Sequence, residues 1–199
     1  MSDHKHDRYK RADHFTREAK RSGFPARSVY KLDAIDKKAR LLRRGQRVVD
    51  LGAAPGSWSL YAASRIGETG RLFAVDLQPL AQALPTNATF VLGDARELSS
   101  ATLAEHGPFD VVLSDMAPNT SGNRFADQTR SAELFDFAVD VAERLGKPGS
   151  CFVGKLFMGP DFERERTRLR TLYAKVDVER PPAVRSNSIE CFLVGTGKR

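Results

Sequence analysis

Two groups of residues in this chain have the type and spacing to do chemistry: a glycine turn, and three aspartates that each follow an apolar run. The turn lies in "DLGAAPGSWSL", residues 50–60. A dinucleotide-binding turn needs G-x-G-x-x-G, in which the second glycine admits a pyrophosphate and the third lets the helix pack closely on the strand. Counted from Gly52, those places hold Ala54 and Ser57, and no Gly-Lys-Ser/Thr follows to make a Walker A loop. Gly52 and Gly56 still permit a sharp turn, Pro55 suits helix entry, and the helix N-terminus carries about half a positive charge. The pattern fits a ligand that approaches the backbone closely but brings no diphosphate. The aspartates are Asp76 after "RLFAV", Asp94 after "FVLG" and Asp115 after "FDVVLS". A carboxylate at the end of a second strand is placed to accept hydrogen bonds from ribose hydroxyls. Singly, each could serve as a helix cap or loop residue. With the turn, they describe one crevice, provided that their strands lie side by side.

The elements that would arrange them so are visible as hydrophobic periodicity. Apolar, β-branched runs occur at 47–51, 71–76, 88–92, 109–114, 150–155, 175–179 and 190–195, with helical patterns at 57–66, 97–105, 128–146 and 160–173. Strand and helix in alternation imply an α/β fold, a mostly parallel sheet with helices on both faces. Ligands of such sheets bind beyond the carboxyl ends of the strands, where all three aspartates and the turn belong. The last two runs are separated only by "RPPAVRSNSI", too short and proline-rich for a crossover helix, so they predict an antiparallel hairpin at one edge. Residues 1–45 form a basic, partly helical arm expected to pack on the domain spanning 46–199.

A chain of 199 residues with 41% hydrophobic content supports one substantial core. Lys and Arg outnumber Asp and Glu 32 to 25, and the excess gathers in the first 47 residues, in 164–175 and in 180–199. Such a surface suits a polyanion. No run approaches the roughly 20 apolar residues needed to span a bilayer, and "MSDHKHDRYKRADHF" has no apolar signal core, so a cytoplasmic protein without a membrane partner is expected. Cys151 and Cys191 form no CxxC pair and have no histidine in ligand spacing, which predicts reduced thiols and no metal site.

Seven segments in order carry a resemblance: "SVYKLDAI", "VVDLGAAPGSWS", "AVDLQP", "GDAREL", "VVLSDMAPNTSG", "FVGKLFMG" and "RSNSIECFLVGTG". Through them, over about residues 8–197, the chain resembles the FtsJ/RrmJ family of S-adenosylmethionine-dependent ribose 2'-O-methyltransferases acting on ribosomal RNA. The resemblance implies a Rossmann-like class I methyltransferase with a seven-stranded sheet and S-adenosylmethionine as cofactor. It implies methyl transfer to a ribose 2'-hydroxyl of large-subunit (23S) rRNA, at a uridine, by a monomer acting on RNA within the large ribosomal subunit. The family's Lys-Asp-Lys-Glu tetrad falls on Lys31, Asp115, Lys155 and Glu190. Its cofactor contacts fall on Gly56, Trp58, Asp76, Asp94 and Asp115, with Asp94 implied to receive the adenine amino group. The chain departs from the family pattern at Ser57, where a third glycine is common, at Gly154, where a branched residue is usual, and at Ile189, where a basic residue often stands. Two alternatives stay open: a tRNA anticodon-loop 2'-O-methyltransferase, and a non-catalytic RNA-binding module of ribosome assembly. The short chain without an added RNA domain is more similar to the large-subunit enzymes.

Topology brings the tetrad together independently. Asp115 and Lys155 end the fourth and fifth strands; if the last strand inserts antiparallel beside the fifth, Glu190 reaches the same edge, and Lys31 must arrive from the arm. Cys151 then lies on the order of 13 Å down the strand from Lys155, and a disulfide to Cys191 is excluded. The chemistry is in-line attack of the hydroxyl on a sulfonium methyl. Lys155 acts either as the base or as a cation that orients the hydroxyl, since keeping a free lysine neutral near pH 7 costs roughly 4 to 5 kcal/mol. "DMAP" lacks the aromatic residue that base-amino methyltransferases place there, and neither cysteine sits in a loop suited to carbon methylation. Lys10, Arg11, Lys20, Arg21, Arg27 and Arg185 are expected to hold RNA through its phosphates.

Overall fold

The computed structural model describes residues 14–98, 100–185 and 188–199. After a helical segment at 14–21 (α1), the elements are α2 (Val29–Ala39), β1 (Arg47–Leu51), α3 (Ser57–Ile66), β2 (Arg71–Asp76), β3 (Ala88–Leu92), α4 (Ser100–His106), β4 (Phe109–Ser114), α5 (Arg124–Leu145), β5 (Gly146–Phe157), α6 (Phe162–Leu172), β6 (Tyr173–Glu179) and β7 (Glu190–Lys198). The sheet has seven strands in the order β3-β2-β1-β4-β5-β7-β6. β1 to β5 pair in parallel, while β7 runs antiparallel to both neighbours. The final hairpin forms as the sequence implied, with β7 inserted between β5 and the edge strand β6.

The first four strands coincide with their apolar runs; β1, β2 and β4 are buried on both faces, which makes each a nearly continuous stretch of β-branched and aliphatic residues, and β3 is the half-exposed edge. Helix starts are less faithful. α4 begins after residue 97 because Asp94 turns the chain first, accepting from Arg96 N–H while Glu97 N–H donates to the Asp94 carbonyl. α5 begins four residues before its apolar stripe, where the Asn123 side chain accepts from Ala126 N–H.

Alternation along the strands sorts the core into two layers. One packs α5 on the sheet through Phe135, Ala138, Val139 and Ala142 against Val49, Val112 and Phe152. The other packs α2 and α3 through Leu32, Ile35, Trp58 and Ala62 against Val48, Leu113, Val153 and Phe192. Gly154 belongs to the first layer. A Cβ there would lie 2.5 Å from Phe152 Cζ and 2.7 Å from Phe135 Cε2, so those two rings occupy the space of a branched side chain. The cysteines are free; Cys151 pairs with Thr196 and Cys191 with Leu156, five positions apart along β5. Among the described residues, no helix is long and apolar enough to cross a membrane.

The arm and the domain share their core. Leu41 and Leu42 are buried with Val48, and the carboxylate of buried Asp36 accepts from Leu42 N–H, the Tyr61 hydroxyl and Arg65. Ser57, where a third glycine is common in the family, has a specific task. Its hydroxyl accepts from Ala26 N–H at 2.9 Å and donates to the Ala26 carbonyl at 3.1 Å, fastening the arm to the first turn of α3. Ser57→Ala leaves the half-buried Ala26 N–H unpaired, while the Ala26 carbonyl keeps Val29 N–H, and a loss of about 1 to 3 kcal/mol in urea unfolding is expected.

Beneath the glycine turn, Asp50 on β1 is fully buried and accepts from the Ser59 hydroxyl at 2.6 Å. Burial, opposed by the Ser59 hydrogen bond and aided by the Asp115 and Asp76 carboxylates, pushes its carboxyl up to about 7. A carboxyl raised on folding makes the native state less favoured wherever the unfolded form is ionised, so stability falls as pH climbs from about 4 toward 7. Thermal melts across that range are expected to decline less for Asp50→Asn than for the wild type.

Candidate active site

The site assembles at the carboxyl ends of β1, β2 and β4. Gly52 has a φ of +81°, and a Cβ there would lie 2.6 Å from Met116 Cγ and 2.9 Å from Met116 N, so only glycine lets this turn lie against the chain leaving β4. The turn is anchored sideways: Gly52 and Ala53 N–H both donate to the Val75 carbonyl. Asp76 extends the anchoring, its Oδ2 accepting from Ala54 N–H and its Oδ1 from Gln78 N–H, each at 2.8 Å. Each of those oxygens keeps a second lone pair for a hydroxyl donor. Gly56, with a φ of +109°, caps the start of α3.

Between these groups is a cavity of about 270 Å³, lined by Gly52, Ala54, Asp76, Asp94, Asp115 and Met116, with Arg96 and Leu134 at its side. Its lining fits the nucleoside and amino-acid halves of S-adenosylmethionine. Asp76 and Asp94 present acceptor oxygens at its wall, and the bare backbone of Gly52 admits close approach. Asp94 is engaged by Arg96, whose Nη2 lies 2.6 Å from Oδ2 and whose backbone N–H also donates; these bonds hold the Asp94 carboxyl below the usual range. Neither Gly56 nor Trp58 lines the cavity. The Trp58 indole is 2% exposed, donates to the Ser28 carbonyl at 2.8 Å and packs with its ring centroid 5.7 Å from that of Phe192. It is a strut between α3 and the arm, turned away from the crevice.

The four residues of the tetrad lie at one edge. Residues facing each other across an antiparallel pair share a face, and so do residues two apart on one strand. Lys155 pairs with Phe192 and Phe157 with Glu190, which places Lys155 and Glu190 on the α2 side of the sheet. Lys155 Nζ lies 2.9 Å from Asp115 Oδ1 and also donates to the Asp115 carbonyl. Lys31, on the first turn of α2, places its Nζ 2.6 Å from Glu190 Oε1 and 5.7 Å from the Phe192 ring centroid. The side chains of Lys155 and Asp115 are 8% and 17% exposed, those of Lys31 and Glu190 11% and 14%. Two ion pairs are thus recessed yet open to a substrate. Asp115 belongs to both the cavity wall and a pair, so a hydroxyl meeting Lys155 stands beside whatever fills the cavity.

Of the expected phosphate contacts, Arg27 is flanked by Arg185 and Glu190; burial and the neighbouring Arg185 lower its guanidinium from the usual value. Lys20 is exposed, and Arg21 is paired with Glu18 one turn away. Lys10 and Arg11 lie outside the described residues. Sequence reasoning missed Arg96 and Met116, although both stand inside the segments "GDAREL" and "SDMAPN". It also missed Phe192, the aromatic floor under Lys31. Among the described residues, no group of three or more His, Cys, Asp or Glu could hold a metal ion.

Comparison with known proteins finds relatives over nearly the whole chain. The model of the FtsJ-like methyltransferases matches residues 24–198. The ribosomal RNA large subunit methyltransferase E of Sorangium cellulosum is 58% identical over 191 residues, covering 96% of this chain and 90% of that protein. The protein of the same name from Oleidesulfovibrio alaskensis is 50% identical, with coverage of 93% and 91%. Among solved structures, a Plasmodium falciparum chain described as a ribosomal RNA methyltransferase superposes with a TM-score of 0.75 at 22% identity, over 88% of this chain and 98% of that one. Aeropyrum pernix fibrillarin with natively bound S-adenosyl-L-methionine superposes at 0.53 and 20%, over 77% and 67%. At such identities the structures speak for the fold, whereas the family model and the sequence relatives cover nearly the whole chain: the protein belongs to the FtsJ-like methyltransferase family.

Proposed function

We propose that this protein transfers a methyl group from S-adenosylmethionine to a ribose 2'-hydroxyl of large-subunit ribosomal RNA, at a uridine, in the cytoplasm, as a monomer acting on RNA held in the large subunit. The relatives named above act on large-subunit rRNA by name, and their coverage of this chain supports the same substrate class. The observation that carries the reading is the position of Asp115, at once in the cavity wall and 2.9 Å from Lys155 Nζ.

When bound, the cofactor supplies an electrophilic sulfonium methyl. Asp76 and Asp94 would hold it, with Gly52 allowing close approach to the turn. The chain's own residues then act on the hydroxyl. A lysine ammonium has three donors; Lys155 gives one to the Asp115 carbonyl, and its charge is paired with the Asp115 carboxylate 2.9 Å away. A remaining donor serves the attacking oxygen, which it holds in line and stabilises as negative charge develops there. The hydroxyl proton leaves late, to solvent water, as the carbon–oxygen bond forms. Lys31, fixed by Glu190 above the Phe192 ring, adds a second positive charge beside the same oxygen.

Lys155→Ala is expected to bind S-adenosylmethionine normally in calorimetry while losing at least about a hundredfold in methyl transfer to rRNA from cells lacking the enzyme. Near-normal turnover in that variant would remove Lys155 from the reaction. Arg27 and Arg185 beside the tetrad make the affinity for RNA salt-dependent. Arg185→Ala is expected to reduce the log–log salt slope by roughly 0.7, the share of one neutralised phosphate of single-stranded RNA.

A further inference from the structure

The rim of the reaction edge carries two exposed apolar side chains that neither the core nor the tetrad uses. Phe125, in the first turn of α5, is 68% exposed, and Met158, just beyond β5, is 40% exposed. Both backbones are held firmly. Met158 N–H donates to the carbonyl of Ile189, the residue before Glu190, and its own carbonyl accepts from the Gln128 side-chain amide. Gln128 stands one helical turn after Phe125, on the same side of α5. The loop leading into Phe125 is fastened as well. Asp127 Oδ1 accepts from Ser121 N–H and Oγ–H and from Arg130, and Asn123 caps the helix. Met158 is three residues past Lys155, roughly 10 Å along the strand direction.

A large exposed aromatic ring on an immobilised turn forgoes burial and gains nothing from the fold. Its surroundings show what would cover it. Arg124 precedes it and is exposed, and Arg27 and Arg185 stand together beside Glu190 at the same edge. Guanidinium groups around an apolar platform match a single-stranded nucleic acid, whose phosphates take the charges and whose unstacked bases take the ring face. An apolar protein partner would need no such cluster of cations. Resting on the function proposed above, we propose that Phe125 and Met158 form a stacking platform for a base adjoining the methylated ribose of the RNA substrate, so that they position the nucleotide and leave the chemistry to the tetrad.

The test uses the full-length protein. Its single tryptophan, Trp58, is buried, so Phe125→Trp introduces an exposed indole at the platform. Titration of this variant with oligouridylate in the presence of S-adenosylmethionine is expected to quench that indole. Stacking on one base is worth about 1 to 3 kcal/mol, so Phe125→Ala and Met158→Ala are each expected to raise KM for rRNA at least about fivefold, with kcat and S-adenosylmethionine affinity unchanged. Phe125→Tyr is expected to keep the wild-type KM. Wild-type KM in both alanine variants, or an indole left unquenched while oligouridylate binds, overturns the platform. KM is measured on large subunits from cells lacking the enzyme, and a KM defect there without quenching by oligouridylate also overturns the platform and assigns the patch to a protein partner. If the wild-type protein transfers no methyl group to those large subunits, the functional reading fails, and the quenching result still decides whether a base stacks here.

Discussion

The register of β7 on β5 is the constraint on which the reaction edge depends. Phe157 opposite Glu190 and Lys155 opposite Phe192 put an ammonium, a carboxylate and an aromatic ring on one face, toward α2. A slip of one residue would exchange the two faces of β7, turning Glu190 and Phe192 to the α5 side and leaving Lys31 without Glu190. Side-chain size resists such a slip, because both faces of β7 are buried, with Phe192 and Val194 filling the α2 layer and Cys191 and Leu193 the other. The same residues that bury the strand thereby aim its first residue at Lys31.

The second requirement is that the arm arrive at a fixed height. Lys31 is useful only if α2 is held in place over β7, and the holding is spread over several unlike contacts. Ser57 clasps Ala26 through both of its backbone groups, the Trp58 indole holds Ser28, and buried Asp36 gathers donors from the Leu42 backbone, Tyr61 and Arg65. Polar groups buried at such a junction are costly if left unpaired, so the arm either docks as a whole or loses several partners together. A recessed ammonium and carboxylate at the tip of such an arm likewise need each other, since removing one leaves the other uncompensated.

How much of this could be seen in the sequence depended on whether a residue's task is local. Strands β1 to β4 and α3 were legible because their boundaries follow from β-branched runs and from the glycine turn. The convergence of the tetrad was legible because strand ends and topology alone decide it. The direction of Trp58 was not, because a residue in the first turn of α3 could face either the crevice or the arm, and packing against Phe192 settles which. The departure at Gly154 had no visible cause in the sequence; the Phe135 and Phe152 rings that fill its space come from another element and from the strand's own turn of side chains. The start of α5 escaped periodicity because its first turns are held by caps and loop bonds while Phe125 points into solvent.

The turn "LGAAPG" binds these parts into one device. Gly52 is not required by a pyrophosphate; it is required by Met116, whose backbone and side chain occupy the space a Cβ would take. Met116 follows Asp115, so the contact that shapes the floor of the cavity also fixes the height of the carboxylate paired with Lys155. Asp76 works from the opposite wall, holding the turn through Ala54 while keeping lone pairs for a ligand. A ligand pressing on the turn therefore presses on the chain that carries Asp115. That coupling explains how a methyl donor and an acceptor hydroxyl can be held in one line by residues that lie far apart in the sequence, without a loop dedicated to either.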